Sequence, residues 1–399
     1  MSELTRSAIW TSLLALSCGS SMSKEPEAQR EFLRAAGIWQ QVGFDSGHSG
    51  FNSEEATIGA GNVAALSLSF SGSAGRIGTG QPIVASGRVY VPTNRNEIRA
   101  FNASTGSHRW TLAGGAFSSP AASNGELYVT SQDGSLRVLN SLDGSLSWTA
   151  SIGTTLAAPT LAGGVVFVSS FTSGLLAFSA LGCDGTMCSP LWRSDVMSGG
   201  RTTAAVGGGI VAVTLADADP QLSRLYGYLE AGCGAPVCSP RWSVSLGDLD
   251  LSPPVVSSGH VYLTAGDRLL AVNKNTGRVL WRMPVHSTGT APAVAQGVVF
   301  LLETNQFSAF DAVTGARVWH SELTADGAIS SPITIANGLV YLASHASNSV
   351  IIFETACGTA DAQCAPLHSA SQPVASGVAV SNGRVYAADG SSTVRAYSP

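Results

Sequence analysis

The chain has 399 residues, 45 of them glycine, with 12% charged residues and a formal net charge of -5. So few Lys and Glu cannot solvate the outer faces of many helices, whereas abundant Gly suits short strands joined by tight turns. The acidic balance offers no basic patch to displace counterions from a phosphate backbone, which excludes nucleic acid as a partner.

The first segment, residues 1–18, reads as an export signal. Arg6 precedes an uncharged, mostly apolar run from Ser7 to Ser17, too short to span a bilayer. Its end, Leu14-Ala15-Leu16-Ser17-Cys18-Gly19, resembles a bacterial lipoprotein signal, in which cleavage before Cys18 leaves a thiol for lipidation. Residues 19–37, carrying Lys24, Glu25, Glu27, Arg30, Glu31 and Arg34, read as a solvated tether. Residues 38–399 then form one domain, because repeats close into a single body whatever their number.

Two phrases recur along that domain. The first is a Pro, a few apolar residues, a Gly and a β-branched or aromatic strand. It runs from Pro82 to Val91, from Pro120 to Val129, from Pro159 to Val168, from Pro254 to Leu263, from Pro292 to Leu301 and from Pro332 to Leu342. It recurs without the Pro around Gly209-Ile210-Val211 and Gly383-Arg384-Val385-Tyr386, which makes eight units. The second is Ala100-x-Asn102-x-x-Thr105-Gly106-x-x-x-Trp110, repeated from Ala271 to Trp281 and from Ala309 to Trp319, with a looser copy from Asn140 to Trp148. Each unit carries four strand signals separated by Gly, Asn or Asp turns. Such an antiparallel sheet buries both faces only by packing radially around an axis.

The expected fold is therefore all-β, an eight-bladed β-propeller of four-stranded antiparallel blades. Trp110, Trp148, Trp192, Trp242, Trp281 and Trp319 are expected to start outer strands and wedge against neighbouring blades. His368 takes the Trp position of the seventh unit, which predicts a looser blade there. The eighth unit stops at Pro399 one strand short, and the alternating stretch Ala65 to Phe70 is expected to supply that strand and remove an exposed edge.

Besides Cys18, six cysteines form three close pairs: Cys183 with Cys188, Cys233 with Cys238, and Cys357 with Cys364. The first two pairs precede Trp192 and Trp242 in lengthened hairpin turns. Disulfides there fit an oxidising compartment and would contribute about 2 kcal/mol each, holding local loop shape. Zinc would need four ligands together, and these pairs lie in different units.

The Ala-x-Asp/Asn-x-x-Thr-Gly-x-x-x-Trp phrase resembles the tryptophan-docking motif of pyrroloquinoline quinone (PQQ)-type propeller repeats. Trp39-Gln40-Gln41 to Asp45-Ser46-Gly47-His48-Ser49-Gly50-Phe51-Asn52 is similar to the segment that often leads into them. The resemblance implies one of two activities. In quinoprotein dehydrogenases, PQQ sits at the axis beside calcium, between a Trp and a disulfide of adjacent cysteines, with an Asp as base. This chain has no adjacent cysteines. The other branch is a non-enzymatic outer-membrane lipoprotein that assists β-barrel assembly, an eight-bladed propeller on a lipidated Cys. That plan implies a monomer bound to an envelope or extracellular protein partner, on the periplasmic face of the envelope or the cell surface, touching the membrane only through its lipid anchor. No cofactor is expected on that plan; PQQ with calcium and a carbohydrate-binding surface are the alternatives.

Placing the sequence on a propeller plan puts Asp133, Asp267, Glu303, Asp326 and Asp389 on one acidic face, opposed by Arg95, Arg201 and Arg268. It also places the pairs Asp217 with Asp219 and Asp248 with Asp250 there, on consecutive blades. Those four carboxylates are the candidate metal ligands, since a hard cation such as calcium takes several oxygens. The seven His residues are scattered without ligand or triad spacing.

Overall fold

The structure, a computed structural model, describes residues 38–399 apart from 75–79, 94, 116, 156, 197–201, 217–222, 248–250, 324–328, 345–347, 372–373, 375–376 and 389–392. Eight sheets follow one another along the chain, spanning 83–113, 121–151, 160–194, 205–245, 255–284, 293–322, 329–371 and 379–398. We number them blades 1 to 8. The innermost strand of each blade touches the innermost strand of the next, and that of blade 8 touches that of blade 1, so the ring is closed. The apolar clusters lie between blades; one, for example, joins Ala379 and Tyr386 of blade 8 to Val89 and Phe101 of blade 1 and Leu127 of blade 2.

The closing strand comes from the start of the domain. Ser67–Ser73 pairs antiparallel with Thr393–Ser398, with Leu68 opposite Tyr397 and Phe70 opposite Ala396. The fold and its closure are those expected from the repeats.

Every letter of the Trp phrase has a physical job. Asn102 Oδ1 accepts from the backbone N–H groups of Ser104 and Thr105, both at 2.9 Å, and Asp311 does the same for Val313 and Thr314. These side chains nucleate the turn. The Ala stands directly across from the Trp, as Ala100 from Trp110 and Ala309 from Trp319, leaving room for the indole. The Gly belongs to a different pairing: it receives the Trp of the preceding blade. A Cβ on Gly144 would lie 2.8 Å from the Trp110 ring, and one on Gly315 2.8 Å from the Trp281 ring. Trp and Tyr then converge on one carbonyl of the next blade. Trp110 Nε1 and Tyr90 Oη both donate to Ser141 O, and Trp281 Nε1 and Tyr262 Oη both donate to Ala312 O.

Blade 8 makes the same dock with other residues. Phe70 stacks on Gly106 of blade 1, while Arg384 and Tyr386 donate to Ala103 O. His368 does occupy the Trp register of blade 7, opposite Ile352. The two outermost strands of blade 8, Thr393–Ser398 and Ser67–Ser73, come from opposite ends of the domain and are not joined by a hairpin, so a Trp would have no turn Gly to stack on. The short 3-10 turn Val63–Ala65 packs against His368–Ser371 in its place.

All three expected disulfides are present. The loop shape they hold serves the neighbouring blade. Each stapled turn reaches back to the outer strand of the preceding blade. Val237–Cys238 pairs parallel with blade 3 at Arg193 and Ser194, and Ala362–Gln363 pairs parallel with blade 6 at Trp319 and His320. The Cys183–Cys188 turn bridges to Thr149 of blade 2, whose N–H donates to Thr186 O and whose carbonyl accepts from Cys188 N. The staples therefore hold covers over sheet edges that would otherwise present unpaired backbone groups.

The Gly-to-Trp stacking can be isolated by comparing two glycines that share a left-handed backbone. Gly144 has φ +75 beneath the Trp110 ring, whereas Gly125 has φ +80 with open space around it. Gly144→Ala is expected to lose about 1–3 kcal/mol more than Gly125→Ala, the added cost of overpacking, measured by urea unfolding. Equal losses would show that the ring contact contributes nothing.

Candidate functional site

The axis of a propeller is lined by the inner edges of its innermost strands, whose outward N–H and C=O groups need partners. Here the lead-in segment supplies them for the whole ring. Trp39 and Val84 of blade 1 exchange two backbone bonds of 2.7 and 2.9 Å. Gln40 O accepts from Ala122 N of blade 2, and the Gln41 side chain brackets Leu161 of blade 3, accepting from its N–H at 2.8 Å and donating to its carbonyl. Ser46 O, Gly47 O, Ser49 O and Gly50 O accept in turn from Val206, Val256, Val294 and Ile335 of blades 4 to 7. Asn52 Nδ2 completes the circuit by donating to Val380 O of blade 8 at 2.8 Å. One stretch of fourteen residues thus bonds to all eight inner strands.

The segment can run this close to the strands because of its glycines. A Cβ on Gly47 would lie 2.2 Å from Val256 O, and one on Gly50, at φ +73, would lie 2.7 Å from Ile333 O. Asp45 ties the turn between Gln41 and Ser46, accepting from Ser49 N at 2.9 Å and Ser49 Oγ at 2.6 Å. Burial raises the Asp45 carboxyl above its ordinary value, against those hydrogen bonds. Beyond the circuit, Asn52 Oδ1 caps the N–H groups of Glu54 and Glu55. The buried Glu55 carboxylate accepts from Thr57 N and Ile58 N on one oxygen and from Gly383 N on the other. Gln81 is a further tie, accepting from Gly43 N and donating to Val378 O and Thr334 Oγ1.

This circuit divides the axis. At the end where the inner strands begin, a cavity of about 300 Å³ is lined by Val42, Gly43, His48, Gly50, Thr203, Pro253, Gly289, Thr290, Ala291, Pro292, Pro332 and Ile333. At the other end, about 120 Å³ remains beside Phe44, Asn52, Glu54 and Asn382. The larger cavity is mainly apolar. Its one titratable lining group, His48, bonds Thr160 Oγ1 through Nε2 at 3.0 Å and is fully buried, which pushes its pKa down to about 4. Thr160 Oγ1 itself donates to Ala204 O, so the neutral His48 ring donates to Thr160.

PQQ carries several carboxylates and would need cations, a facing Trp and a disulfide of adjacent cysteines. The described lining holds no Arg or Lys, Trp39 is packed on Phe44, and the three disulfides staple rim turns. These residues do not fit the cofactor. Asp217, Asp219, Asp248 and Asp250 lie outside the described residues, as do Cys18, Asp326, Asp389, Arg201 and the tether. Among the described residues no three His, Cys, Asp or Glu side chains gather as a metal-holding group, and no helix is long and apolar enough to cross a membrane. The expected acidic face needs one correction. Glu303 is buried, accepting from His286 N, Gln306 Nε2 and Ser308 Oγ, and Asp133 is paired with Arg137. Sequence reasoning located the lead-in segment but missed its role. The legible signal was Gly43, Gly47 and Gly50 in a stretch with no strand alternation.

The architecture is that of the PQQ-type propeller repeat proteins. The family model described as outer membrane protein assembly factor BamB matches residues 36–156 and 238–398, and the chain belongs to that family. Among solved structures, BamB from Moraxella catarrhalis is similar at 15% identity and a TM-score of 0.63, covering 84% of this chain and 100% of that one. The quinohemoprotein alcohol dehydrogenase from Comamonas testosteroni is similar at 13% identity and a TM-score of 0.70, covering 94% and 82%. A computationally designed protein, Ika8, reaches a TM-score of 0.67 at 12% identity, covering 83% and 99%. At these identities the likeness is one of fold. No curated protein matches the chain by sequence.

Because His48 is neutral when buried, protonation opposes folding. Its folded pKa of about 4 lies below the unfolded value of 6.5, so its contribution is complete above the unfolded value and is lost as pH falls through the folded one. Between pH 7 and pH 4 this amounts to about 3 kcal/mol. Asp45 works in the opposite sense, so the His48 part is read as the difference between wild type and His48→Asn, a residue suited to its positive φ. The variant is expected to show a flatter stability profile between those pH values in urea titrations; parallel profiles would contradict the assignment.

Proposed function

We propose that this chain is a non-catalytic, exported propeller that binds an envelope or extracellular protein and serves as a scaffold. The observation that carries this reading is the hydrogen-bonded circuit at the axis. The middle of the axis is crossed by the chain's own backbone, and the mainly apolar cavity left beside it is lined by one titratable group, a buried His48, so the loops and rim are the surfaces left for macromolecular contact. Membership of the BamB family supports it, since that family is described by an assembly role. The three disulfides fit an oxidising compartment, and a lipid on Cys18 with residues 19–37 as tether would hold the propeller, as a monomer, on the periplasmic face of the envelope or the cell surface.

A binding surface of the right chemistry lies on the hairpin turns of blades 2 to 4. Leu142, Leu146, Leu181, Met187, Leu191, Leu229 and Val237 are exposed there, Leu181 by 88% and Met187 by 72%. Backbone pairing joins these turns blade to blade, through Met187 to Thr149 and Val237 to Arg193. Exposed aliphatic side chains gathered on turns that are joined to one another are of the kind that marks protein contact. A carbohydrate surface would show clustered aromatics, and among the described residues Phe171 is the one exposed large aromatic.

A photo-crosslinking residue placed at Leu181 or Met187 is expected to capture one discrete envelope partner, lost when the neighbouring position is changed to Asp, while Ser104 captures none. Stoichiometric uptake of PQQ and calcium with dye-linked alcohol or sugar oxidation would overturn the reading.

A further inference from the structure

The covers on blades 2, 3 and 6 show what this molecule does with an outer edge, and blade 5 has the same edge without one. Its sheet ends at Val279–Pro284, and the next blade's turn is the short Asp311 to Ala316 hairpin, which does not reach back. The docking indoles grade the same way. Trp148, Trp192 and Trp319, beneath covers, are 5%, 4% and 0% exposed, and Trp110 and Trp242, on blades 1 and 4 that also lack covers, are 8% each; Trp281 alone among the six is only partly buried, and its neighbour Val313 is 71% exposed.

The cover on blade 6 also shows which side chains go with the backbone pairing. Asp361 N donates to Val318 O and Cys364 N to His320 O, while the Asp361 carboxylate meets Arg317 Nη2 at 2.9 Å and His320 Nδ1 at 3.0 Å. Aligning the two blades on their tryptophans puts Arg282 in the place of His320, with Arg278 close to the place of Arg317. Both arginines are exposed, and neither guanidinium has an acidic partner among the described residues. The edge is thus basic, bordered by an open indole and an exposed valine.

Resting on the reading of this chain as a protein-binding scaffold, we infer that the outer edge of blade 5 takes an extended acidic segment of a partner polypeptide, added as a parallel strand. Its backbone pairs with Leu280 and Arg282 as the internal covers pair with their edges, its carboxylate meets Arg282, and its apolar positions close over Trp281 and Val313. Charge complementarity selects an acidic strand here, as it does within the chain at Asp361.

The test uses the blade 6 cover as a free molecule: the disulfide-closed peptide of residues 357–366, added to the full chain labelled with fluorotryptophan, with resonances assigned by single Trp→Phe variants. The expected result is a saturable, one-to-one shift confined to the Trp281 resonance, with Trp319 unmoved because its own cover is tethered at high effective concentration. Arg282→Glu should weaken binding about tenfold or more while leaving the other Trp resonances in place, which shows that the fold is intact. A peptide carrying Asp361→Lys should fail on wild type and bind Arg282→Glu. No saturable Trp281 shift at millimolar peptide, or equal binding by Arg282→Glu, would overturn the inference. Neither outcome touches the Leu181 and Met187 surface, whose crosslinks test the scaffold reading separately.

Discussion

Eight sheets set in a ring leave eight inner edges facing one another across an axis, and every unpaired N–H or C=O there costs free energy if it is dry and alone. The lead-in segment resolves this for the whole ring in one pass, from Trp39 on Val84 to Asn52 on Val380. It reaches six blades through its backbone and two through the amide side chains of Gln41 and Asn52. One short stretch is therefore coupled to every blade. Blades that would otherwise contact only their neighbours share a common partner, which adds a central term to the nearest-neighbour energetics of a repeat protein.

The same logic of covering edges runs outward. The ring closes by borrowing Ser67–Ser73 from the chain's beginning, and three outer edges are covered by stapled turns of the following blade. A disulfide across so small a loop contributes little through chain entropy. Its value is that it keeps a two- or three-residue strand in the extended shape needed to pair with its neighbour. The tryptophan docks act at the intermediate radius. Each indole crosses from one blade to the Gly of the next turn, so the repeat phrase is a joint between units, and it is absent where blade 8 offers no turn to receive it.

Much of this was legible from residues. Ala100, Asn102, Gly106 and Trp110 announce a hairpin and its dock, the recurrence of the Pro-to-Gly strand phrase fixes the number of blades, and the missing last strand points to Leu68 and Phe70. The pairing of Trp110 with Gly144, a repeat away, was not legible, because spacing within one repeat cannot show which neighbour a side chain reaches. The circuit at the axis was hidden for a related reason. It consists mostly of backbone carbonyls, which carry no residue signature, and its residues are chosen by what they omit at Gly47 and Gly50. Glu303 looked like a solvated turn carboxylate, yet two donors from its own blade, Gln306 and Ser308, and a third from the connection before it, His286 N, draw it inside.

The central claim is that one segment ties all eight inner strands into a single cooperative unit. Native-state hydrogen exchange of Val84, Ala122, Leu161, Val206, Val256, Val294 and Ile335, in wild type and in Gly47→Ala, tests it most directly. The account predicts that these seven amides exchange with a common free energy and that the substitution, which among the inner strands meets only Val256, speeds all of them together. Faster exchange confined to Val256, with the other blades unchanged, would contradict it.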